Sequence, residues 1–430
     1  MKYDALLRVS IITVIVTGFV GGPIYTIGPA DFRLIDLSIL FLTALLVVSL
    51  RKEPIISIAV TSSISMIISG YLLLVLLLPI IGLVLYQYPL AYVLGDVRWL
   101  HALLLGAAMF VVYSSRSRHS LFVDIRAAVI ITVMIYSIFT AAQIGDMVGF
   151  VDISHLMTAW YGDQPVDREV GYGAGRFAGP ATQLAYTGRV ASLSVLVLTY
   201  SYILTKSRLD LFFTVASISV LVSSGHRTSM VSTGVGLLIL AFTSDRYRAA
   251  FRRRHTILKV VTASAIPLTI AYILDLGGVR TSPRYYEIVQ LLTGQRGWGE
   301  ITGRDTERWL APVEYVQAEY FLGTLANPSW VLAEFPIFDS YYVISYLQGG
   351  ILLLGSYVLL LTFLFAYGFK FRETPEGMIS IFIIVVIGIA SLTQNLQGLF
   401  QKLVIIISLT SILISMEEDS TSTENRLEAD

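Results

Sequence analysis

Arginine is the residue type whose placement in this sequence suggests chemistry. Most arginines outside the short basic connections lie in or beside two long polar segments, residues 145–185 and 275–340. A guanidinium stays charged at physiological pH and can hold two phosphate oxygens at once. We therefore expect these residues to bind an anion, and a phosphate or diphosphate group is the natural candidate. The basic residues in question are Arg33, Arg98, Arg168, Arg176, Arg189, Arg227, Arg280, Arg284, Arg296, Arg304, Arg308 and Lys402.

The alternative for each arginine is an ion pair with a nearby acid such as Asp163, Asp305 or Glu307. Arg227 is the sharpest case, because it stands in a short polar break, residues 223–229, between two apolar runs. A charge so close to hydrocarbon points to function by default, although such a break can also be a structural cap between two helices.

Arg176 and Arg189 stand on either side of the start of an apolar run at about residue 186. They are too far apart to share a turn, but both can face one cavity at the outer face of a membrane, the face away from the cytoplasm. Arg126, by contrast, falls near the inner surface, where a long side chain can snorkel towards water.

Asp339 is the acid best placed for catalysis. It precedes an apolar run that starts at Tyr341, which would place it at the mouth of a central cavity. A carboxylate there can orient or deprotonate a hydroxyl. The alternative role is a helix N-cap, which Asp performs well, and the two roles are not exclusive. The other candidate acids, all in residues 275–340, are Asp305, Glu307, Glu314, Glu319 and Glu334.

Metal, cofactor and nucleotide sites are not expected. The outer segments hold no D-x-D pair, the five histidines do not cluster, and there is no cysteine. P-loop, G-x-S-x-G and G-x-G-x-x-G motifs are absent from the sequence. The energy for any reaction would then come from an activated substrate, and we expect no nucleic-acid partner.

The elements that must position these residues are transmembrane helices. The chain is 55% apolar and 14% charged, whereas a soluble domain has roughly a quarter charged residues. Its mean hydropathy is +0.73, and the apolar residues form blocks near the length of about 20 that crosses a bilayer as a helix. Strict alternation is missing, which disfavours a β-barrel. The sequence predicts an all-α, polytopic membrane helical bundle.

About twelve spans are predicted. The third exceeds the bilayer and must tilt, protrude, or break near Gly70 or Pro79. The spans are Val9–Ile27, Leu34–Leu50, Ile55–Tyr86, Val97–Tyr113, Leu121–Ile144, Tyr186–Leu204, Leu211–Ser223, Ser229–Phe242, Ile257–Leu274, Tyr341–Ala366, Met378–Leu392 and Leu399–Met416.

Charge predicts the orientation of these spans. Short basic connections, such as those at residues 51–52, 116–118, 206–208, 246–254 and 370–372, are typical of cytoplasmic loops. One crossing at Ile55–Tyr86 places all of them, and both termini, in the cytoplasm. Residues 1–416 then form a single transmembrane domain in the cytoplasmic membrane, and residues 417–430 a disordered cytoplasmic tail.

The two long segments, 145–185 and 275–340, become outer-face loops that contain short helices. Ser282 and Pro283 can start one helix, and Gly294 can end it. A second amphipathic stretch places Trp309, Leu310, Val313, Val316 and Phe321 on one side, with Glu307, Glu314 and Gln317 on the other. Loops of this length are usually functional, and these can form a roof over a cavity.

The order of four motifs resembles the O-antigen polymerase and ligase superfamily, multispan glycosyltransferases that act on lipid-linked sugars. The motifs are Arg-x-x-Gly-Pro at Arg176–Pro180, Ser-Gly-x-Arg ending at Arg227, Gly303-Arg304 followed by Trp309, and Asp339-Ser340-Tyr341-Tyr342 with Leu347 and Gly349-Gly350 leading into a span. The resemblance covers roughly residues 170–365, and the span count extends it to the whole chain.

The resemblance implies a metal-independent, GT-C-like bundle without a cofactor. Its substrate would be a polyprenyl-diphosphate-linked glycan, with membrane lipid and a chain-length regulator as further partners. Asp339, Arg227 and Arg304 would be catalytic. The diphosphate would be bound by Arg176, Arg189, Arg227, Arg280, Arg284, Arg304 and Arg308, and the acceptor or sugar by Tyr342, Trp309 and Glu314.

A polymerase that joins oligosaccharide repeats is the favoured member of the superfamily. Its ligases commonly carry a histidine before the span that follows the large loop, where this chain has Asp339. The alternatives are ligase-type transfer of a glycan to another acceptor, and transport or flipping of an anionic lipid or solute, which would predict inverted repeats. An inert structural membrane protein is the least favoured, because of the arginine-rich loops.

Overall fold

The computed structural model describes residues 2–21, 24–27, 30–50, 63–90, 105–106, 108–109, 112–113, 120–161, 176–181, 183–243, 293, 306–320, 322–332, 335, 340–393 and 399–427. Within these ranges the chain is a helical bundle with one small β-hairpin. Its helices are α1 (Lys2–Val20), α2 (Leu34–Leu50), α3 (Ser63–Leu85), α4 (Leu121–Met147), α5 (Ser154–Tyr161), α6 (Leu184–Thr205), α7 (Arg208–Ser224), α8 (Arg227–Thr243), α9 (Thr306–Glu319), α10 (Pro328–Val331), α11 (Tyr341–Lys370), α12 (Pro375–Thr393) and α13 (Leu399–Leu427). The hairpin pairs β1 (Ile24–Ile27) with β2 (Ala30–Arg33).

The apolar helices fit a protein that crosses a membrane. Four of them, α4, α6, α11 and α12, are long and apolar enough to span by length and composition. Shorter apolar helices occupy Ala5–Val20, Leu34–Leu45, Gly70–Leu85, Arg227–Thr243 and Phe400–Met416. The all-α class is therefore confirmed. Two of the predicted spans, Val97–Tyr113 for the most part and Ile257–Leu274 entirely, lie outside the described residues.

The end predicted for the first span, Ile27, is wrong. The helix ends at Val20, and Gly21 follows with φ +80°, a left-handed conformation that terminates a helix. Ile24–Ile27 then pairs with Ala30–Arg33 in the antiparallel hairpin. At the other terminus, α13 continues as helix to Leu427, beyond the predicted end of its span at Met416.

Polar contacts gather several helix ends at one end of the bundle. Arg8 of α1 pairs with Asp124 of α4 (2.6 Å), and Arg126 of α4 pairs with Asp210 of α7 (2.6 Å). Arg372, just after α11, donates to the carbonyl oxygen of Thr243 at the end of α8 (2.9 Å). We call this the basic end, because the short basic connections 206–208 and 370–372 lie there. The opposite end holds the end of α4 and the starts of α6 and α8.

Helix α11 is a hairpin of two helical arms, so the predicted single span Tyr341–Ala366 is wrong in its first part. Gly350 adopts φ +60° and ψ −155°, which only glycine tolerates well, and Gly349 is also non-helical. The rings of Tyr341 and Tyr342 lie 4.9 and 5.6 Å from the ring of Tyr357. Sixteen residues of straight helix would span about 24 Å. The arm 341–348 therefore folds back on residues 351–370.

The tip of this hairpin is held by a loop segment from residues 322–327. The N–H groups of Thr324 and Leu325 donate to the carbonyl oxygens of Leu347 and Gln348, both at 2.8 Å. A Cβ on Gly323 would lie 2.8 Å from the oxygen of Leu347. The backbone carbonyls released by the helix break are thus paired with protein, as a low-dielectric site requires.

Helix α3 runs beside the short arm. It continues from Ser63 to Leu85 through both Gly70 and Pro79, which agrees with one crossing in this region. The hydroxyls of Tyr71 and Tyr341 are 3.3 Å apart. Further along, a Cβ on Gly349 would lie 2.7 Å from Leu78, so α3 and the arm 341–348 point the same way.

The amphipathic helix predicted near Trp309 is confirmed as α9. Val316 is buried, whereas Glu314 and Gln317 are exposed. Gln317 donates to the hydroxyl of Tyr346 on α11 (2.7 Å). Just after α9, the ring of Tyr320 stands edge-on to Tyr86 at 5.3 Å, and burial raises the pKa of Tyr320. The helix predicted at residues 282–294 lies outside the described residues apart from Thr293.

Candidate functional site

The turn at residues 176–181 is pinned at the opposite end of the bundle. Buried Gln143 on α4 donates from Nε2 to the carbonyl oxygen of Gly179 (3.0 Å) and accepts from the Gly179 N–H at Oε1 (2.9 Å). Gly179 has φ +62°, and a Cβ there would lie 2.8 Å from Tyr136. The Trp160 indole donates to the carbonyl oxygen of Pro180 (3.0 Å). The Gly-Pro part of the Arg-x-x-Gly-Pro element therefore has a fixed shape.

Arg176 is held at the end of α7. The N–H of the buried Phe177 donates to the carbonyl oxygen of Ser223 (2.9 Å). Arg176 Nε donates to the carbonyl oxygen of Ser224 (3.4 Å). The polar break containing Arg227 and the turn containing Arg176 are therefore adjacent, although 51 positions separate these two arginines in the sequence.

Arg227 is the first residue of α8 rather than its cap. Gly225 ends α7 with φ +61°. The capping contact comes from His226, whose Nδ1 accepts from the Ser229 N–H (3.3 Å). Ser224 Oγ accepts from the His226 N–H (3.3 Å). The capping contacts observed in this turn thus come from Ser224 and His226, while the half-buried Arg227 lies where a helix N-terminus favours negative charge.

Arg189 is buried inside the bundle without an acidic partner among the described residues. Its side chain is 4% exposed, and Nε donates to the carbonyl oxygen of Ala185 on the same helix (3.2 Å). The guanidinium carbon lies 5.5 Å from the ring centre of Tyr186 and 5.4 Å from that of Phe400. The ion pairs within the described ranges do not include it. Isolated buried charges are expensive, so this one calls for an anion.

The paired arginines at the basic end provide the contrast. Arg8 holds Asp124 through both carboxylate oxygens, at 2.8 and 2.6 Å. Asp210 is fully buried, and it accepts from Arg126 at one oxygen and from Ser201 at the other (2.8 Å each). The sequence pattern places Arg126 near the inner surface, but it does not indicate the pairing with Asp210.

Close packing between α6 and α8 brings Arg189 near the start of α8. A Cβ on Gly188 would lie 2.5 Å from the Cβ of His226. One turn further, the hydroxyls of Ser192 and Ser232 are 3.0 Å apart. Small residues allow helix backbones to approach in this way. The structure therefore places Arg176, Arg189 and Arg227 at the same end of the bundle: Arg176 and Arg227 lie in adjacent turns, and Arg189 contacts the rings of Tyr186 and Phe400.

A second polar cluster lies at the start of α11. Ser340 is the N-cap: its Oγ accepts from the Val343 N–H (3.5 Å) and donates to the carbonyl oxygen of Ser391 (3.1 Å). The N-cap alternative for Asp339 is therefore wrong. Tyr342 donates to the carbonyl oxygen of Gly388 (3.2 Å), so its hydroxyl is engaged with α12.

The other predicted site residues are only partly described. Glu314 is exposed on α9 and is not brought to either cluster by a contact in the described ranges. The backbone of Arg308 and Trp309 belongs to α9, whereas their side chains fall outside the described part. The residues wholly outside it are Arg280, Arg284, Arg304 and Asp339.

Gln143 and Gln401, two of the three buried glutamines among the described residues, were not among the predicted site residues. Gln143 clamps the 176–181 turn, and Gln401, on α13 beside Phe400, is 1% exposed. A polar amide inside a predicted span is the signal that could have found both, because such residues are rare in hydrocarbon unless they serve a purpose.

Metal-ligating side chains do not assemble within the described ranges, where no group of three or more His, Asp or Glu residues could hold an ion. Comparison with known proteins gives no further guide: no family model matches the chain, and no curated protein has a similar sequence.

Proposed function

We propose that this protein is a polysaccharide polymerase that joins polyprenyl-diphosphate-linked oligosaccharide repeats at the outer face of the cytoplasmic membrane. The observation that carries this proposal is Arg189, a buried arginine without a carboxylate partner in the described structure. Arg176 and Arg227 lie in adjacent turns at the same end of the bundle. A diphosphate group would supply the anionic partner that Arg189 does not have in the described structure, and Arg176 and Arg227 would add positive charge beside it.

The chemistry follows from an activated donor. An acceptor hydroxyl attacks the anomeric carbon, the bond from that carbon to the diphosphate oxygen breaks, and the polyprenyl diphosphate leaves with the electron pair. Arg189, Arg176 and Arg227, joined by Arg304, Arg280, Arg284 and Arg308 from the large loop, stabilise the charge on the leaving group. Asp339 takes the hydroxyl proton. Tyr342, Trp309 and Glu314 are assigned to the acceptor sugar.

The orientation supports an outer-face reaction. Short basic connections meet at the basic end, which the positive-inside tendency assigns to the cytoplasm together with both termini. The arginines of the 176–181 turn and of α8 then face the side where lipid-linked glycans are elongated. A chain-length regulator is the further partner that we propose.

Single replacements test this assignment. Five variants are made singly: Arg176→Gln, Arg189→Met, Arg227→Gln, Arg304→Gln and Asp339→Asn. In the native host, the chain length of the surface polysaccharide is measured. In vitro, each purified variant is supplied with a lipid-linked donor, and the length of the polymer it forms is measured. Wild type should give a ladder of chain lengths, and each variant should shorten or abolish it. Arg372→Gln at the basic end is the control and should leave the ladder intact. Normal ladders in all five variants would reject the site.

A different reaction product would indicate a different function. Transfer of one glycan block to a different acceptor would replace the polymerase with a ligase. A transporter is the second candidate, because the glycine break of α11 is the kind of interrupted helix that transporters use. Flux of a labelled anionic lipid across reconstituted vesicles, without polymer formation, would favour that function.

A further inference from the structure

Gln401 is a buried amide without a hydrogen-bond partner of good geometry in the described structure. Neither its Nε2 nor its Oε1 reaches a protein donor or acceptor. Gln143, which is equally buried, has both amide atoms bonded to the backbone of Gly179. An unpaired buried polar group costs about 1–3 kcal/mol. Thus the amide of Gln143 makes its hydrogen bonds within the protein, whereas the equally buried amide of Gln401 can still bond to a ligand.

The hydroxyls near this amide are already paired. Ser391 Oγ donates to the carbonyl oxygen of Ile387 (2.8 Å), so the hydroxyl of Tyr357 donates to Ser391 Oγ (2.8 Å). Neither hydroxyl proton is therefore left for Gln401 Oε1, and both amide atoms stay unpaired in the described structure. An unpaired amide oxygen accepts a hydrogen bond from a donor such as a hydroxyl.

Gln401 lies between the polar cluster that contains Arg189 and the polar cluster at the start of α11. Its neighbour Phe400 stacks against the guanidinium of Arg189 at 5.4 Å. On its other side, Tyr357 and Ser391 connect it to Ser340, the N-cap of α11, whose Oγ donates to the Ser391 carbonyl oxygen (3.1 Å). Gln401 therefore lies between the proposed diphosphate site and the helix start next to the proposed base.

We propose that Gln401 Oε1 accepts a hydrogen bond from a sugar hydroxyl of the lipid-linked substrate, beside the diphosphate held by Arg189. This inference rests on the proposed function, and it adds a sugar-recognition residue that the motifs did not contain. The amide determines which sugar positions bind, and the arginine binds the diphosphate irrespective of the sugar.

Two probes separate these roles in full-length protein reconstituted in nanodiscs. One is the lipid-linked oligosaccharide extracted from the source cells, and the other is farnesyl diphosphate, which carries no sugar. Gln401→Met should weaken binding of the sugar-bearing probe about tenfold, or about 1.4 kcal/mol. It should leave farnesyl diphosphate binding within about twofold of wild type. Arg189→Met should weaken both probes.

The folding control is Gln143→Met. Because the Gln401 amide is unsatisfied, its replacement by an apolar residue of similar size should keep or raise the unfolding temperature, whereas Gln143→Met should lower it. Unchanged binding of both probes by Gln401→Met, or equal weakening of both, overturns the sugar contact while the polymerase proposal stands. A wild-type protein that binds neither probe and forms no polymer defeats both proposals together.

Discussion

Replacement of Arg126 by methionine should lower the free energy of unfolding, whereas replacement of Arg189 by methionine should leave it equal or raise it. Arg126→Met leaves the carboxylate of Asp210, which is fully buried, without its cation. Breaking such a pair costs about 3–5 kcal/mol. The Arg126 side chain is 25% exposed, and Ser201 still donates to Asp210, so we expect a loss near the lower limit. Arg126→Met should therefore destabilise the protein by about 3 kcal/mol.

Arg189→Met removes contacts of a different kind. Two ring contacts are lost, worth about 0.5–2 kcal/mol each, and one hydrogen bond to the carbonyl oxygen of Ala185, worth about 1 kcal/mol. Against this stands the cost of keeping a charge buried without a counter-ion, which is several kcal/mol. The stability of the ligand-free variant should equal or exceed that of wild type.

Equilibrium unfolding in mixed micelles, followed by near-UV circular dichroism, measures both variants. Added inorganic diphosphate should raise the stability of wild type by mass action and leave Arg189→Met unchanged. Arg126→Met should still respond to diphosphate, which makes it the matched control. A loss of 3 kcal/mol or more for Arg189→Met, which would equal the expected loss at Arg126, would refute the reasoning, because it would show that Arg189 is satisfied within the protein.

Two further predictions concern the backbone that positions the site. Gln143→Met should destabilise the protein by about 2–4 kcal/mol, since the N–H and carbonyl oxygen of Gly179 lose their hydrogen bonds to Gln143. Hydrogen exchange at Gly179 should rise, and an unchanged rate would contradict the clamp. Gly350→Ala should cost about 1–3 kcal/mol through backbone strain alone, because a Cβ there meets nothing within 4 Å. Thermal unfolding measures this cost. The control is Gly234→Ala on α8, because Gly234 is exposed and a Cβ there also meets nothing within 4 Å. Equal effects of alanine at both positions would argue against the hairpin.

The positions of the helices could be predicted because hydrocarbon constrains the sequence locally. Apolar runs near 20 residues long gave α4, α6, α12 and the second arm of α11 directly. The reversal at Gly349 and Gly350 could not be read this way, since the apolar pattern continues through it and only the backbone angles reveal two arms. The hairpin at Ile24–Ile27 was missed for the same reason: its residues are apolar enough to extend a span.

The charge pattern of the sequence identified the arginines of the site, but only the structure shows which of them pair with a carboxylate. Charge patterning placed Arg126 near the inner surface and Arg189 among the anion-binding candidates, but it did not show that Arg126 has a buried carboxylate partner. Asp210 lies 84 positions from Arg126, and no local pattern connects them. Gln401 was overlooked because an amide carries no charge for such a pattern to detect.

The distribution of satisfied and unsatisfied groups gives the two ends of the bundle different roles. At the basic end, Asp124 and Asp210 are each paired with an arginine, which fixes α1, α4 and α7 against one another. At the opposite end, Arg189 and Gln401 are buried on neighbouring helices without such partners in the described structure. Because Phe400, next to Gln401 in the chain, contacts the guanidinium of Arg189, we propose that one bound molecule serves both groups. The proposed substrate, a diphosphate-linked sugar, would supply an anion for Arg189 and hydroxyl donors for Gln401.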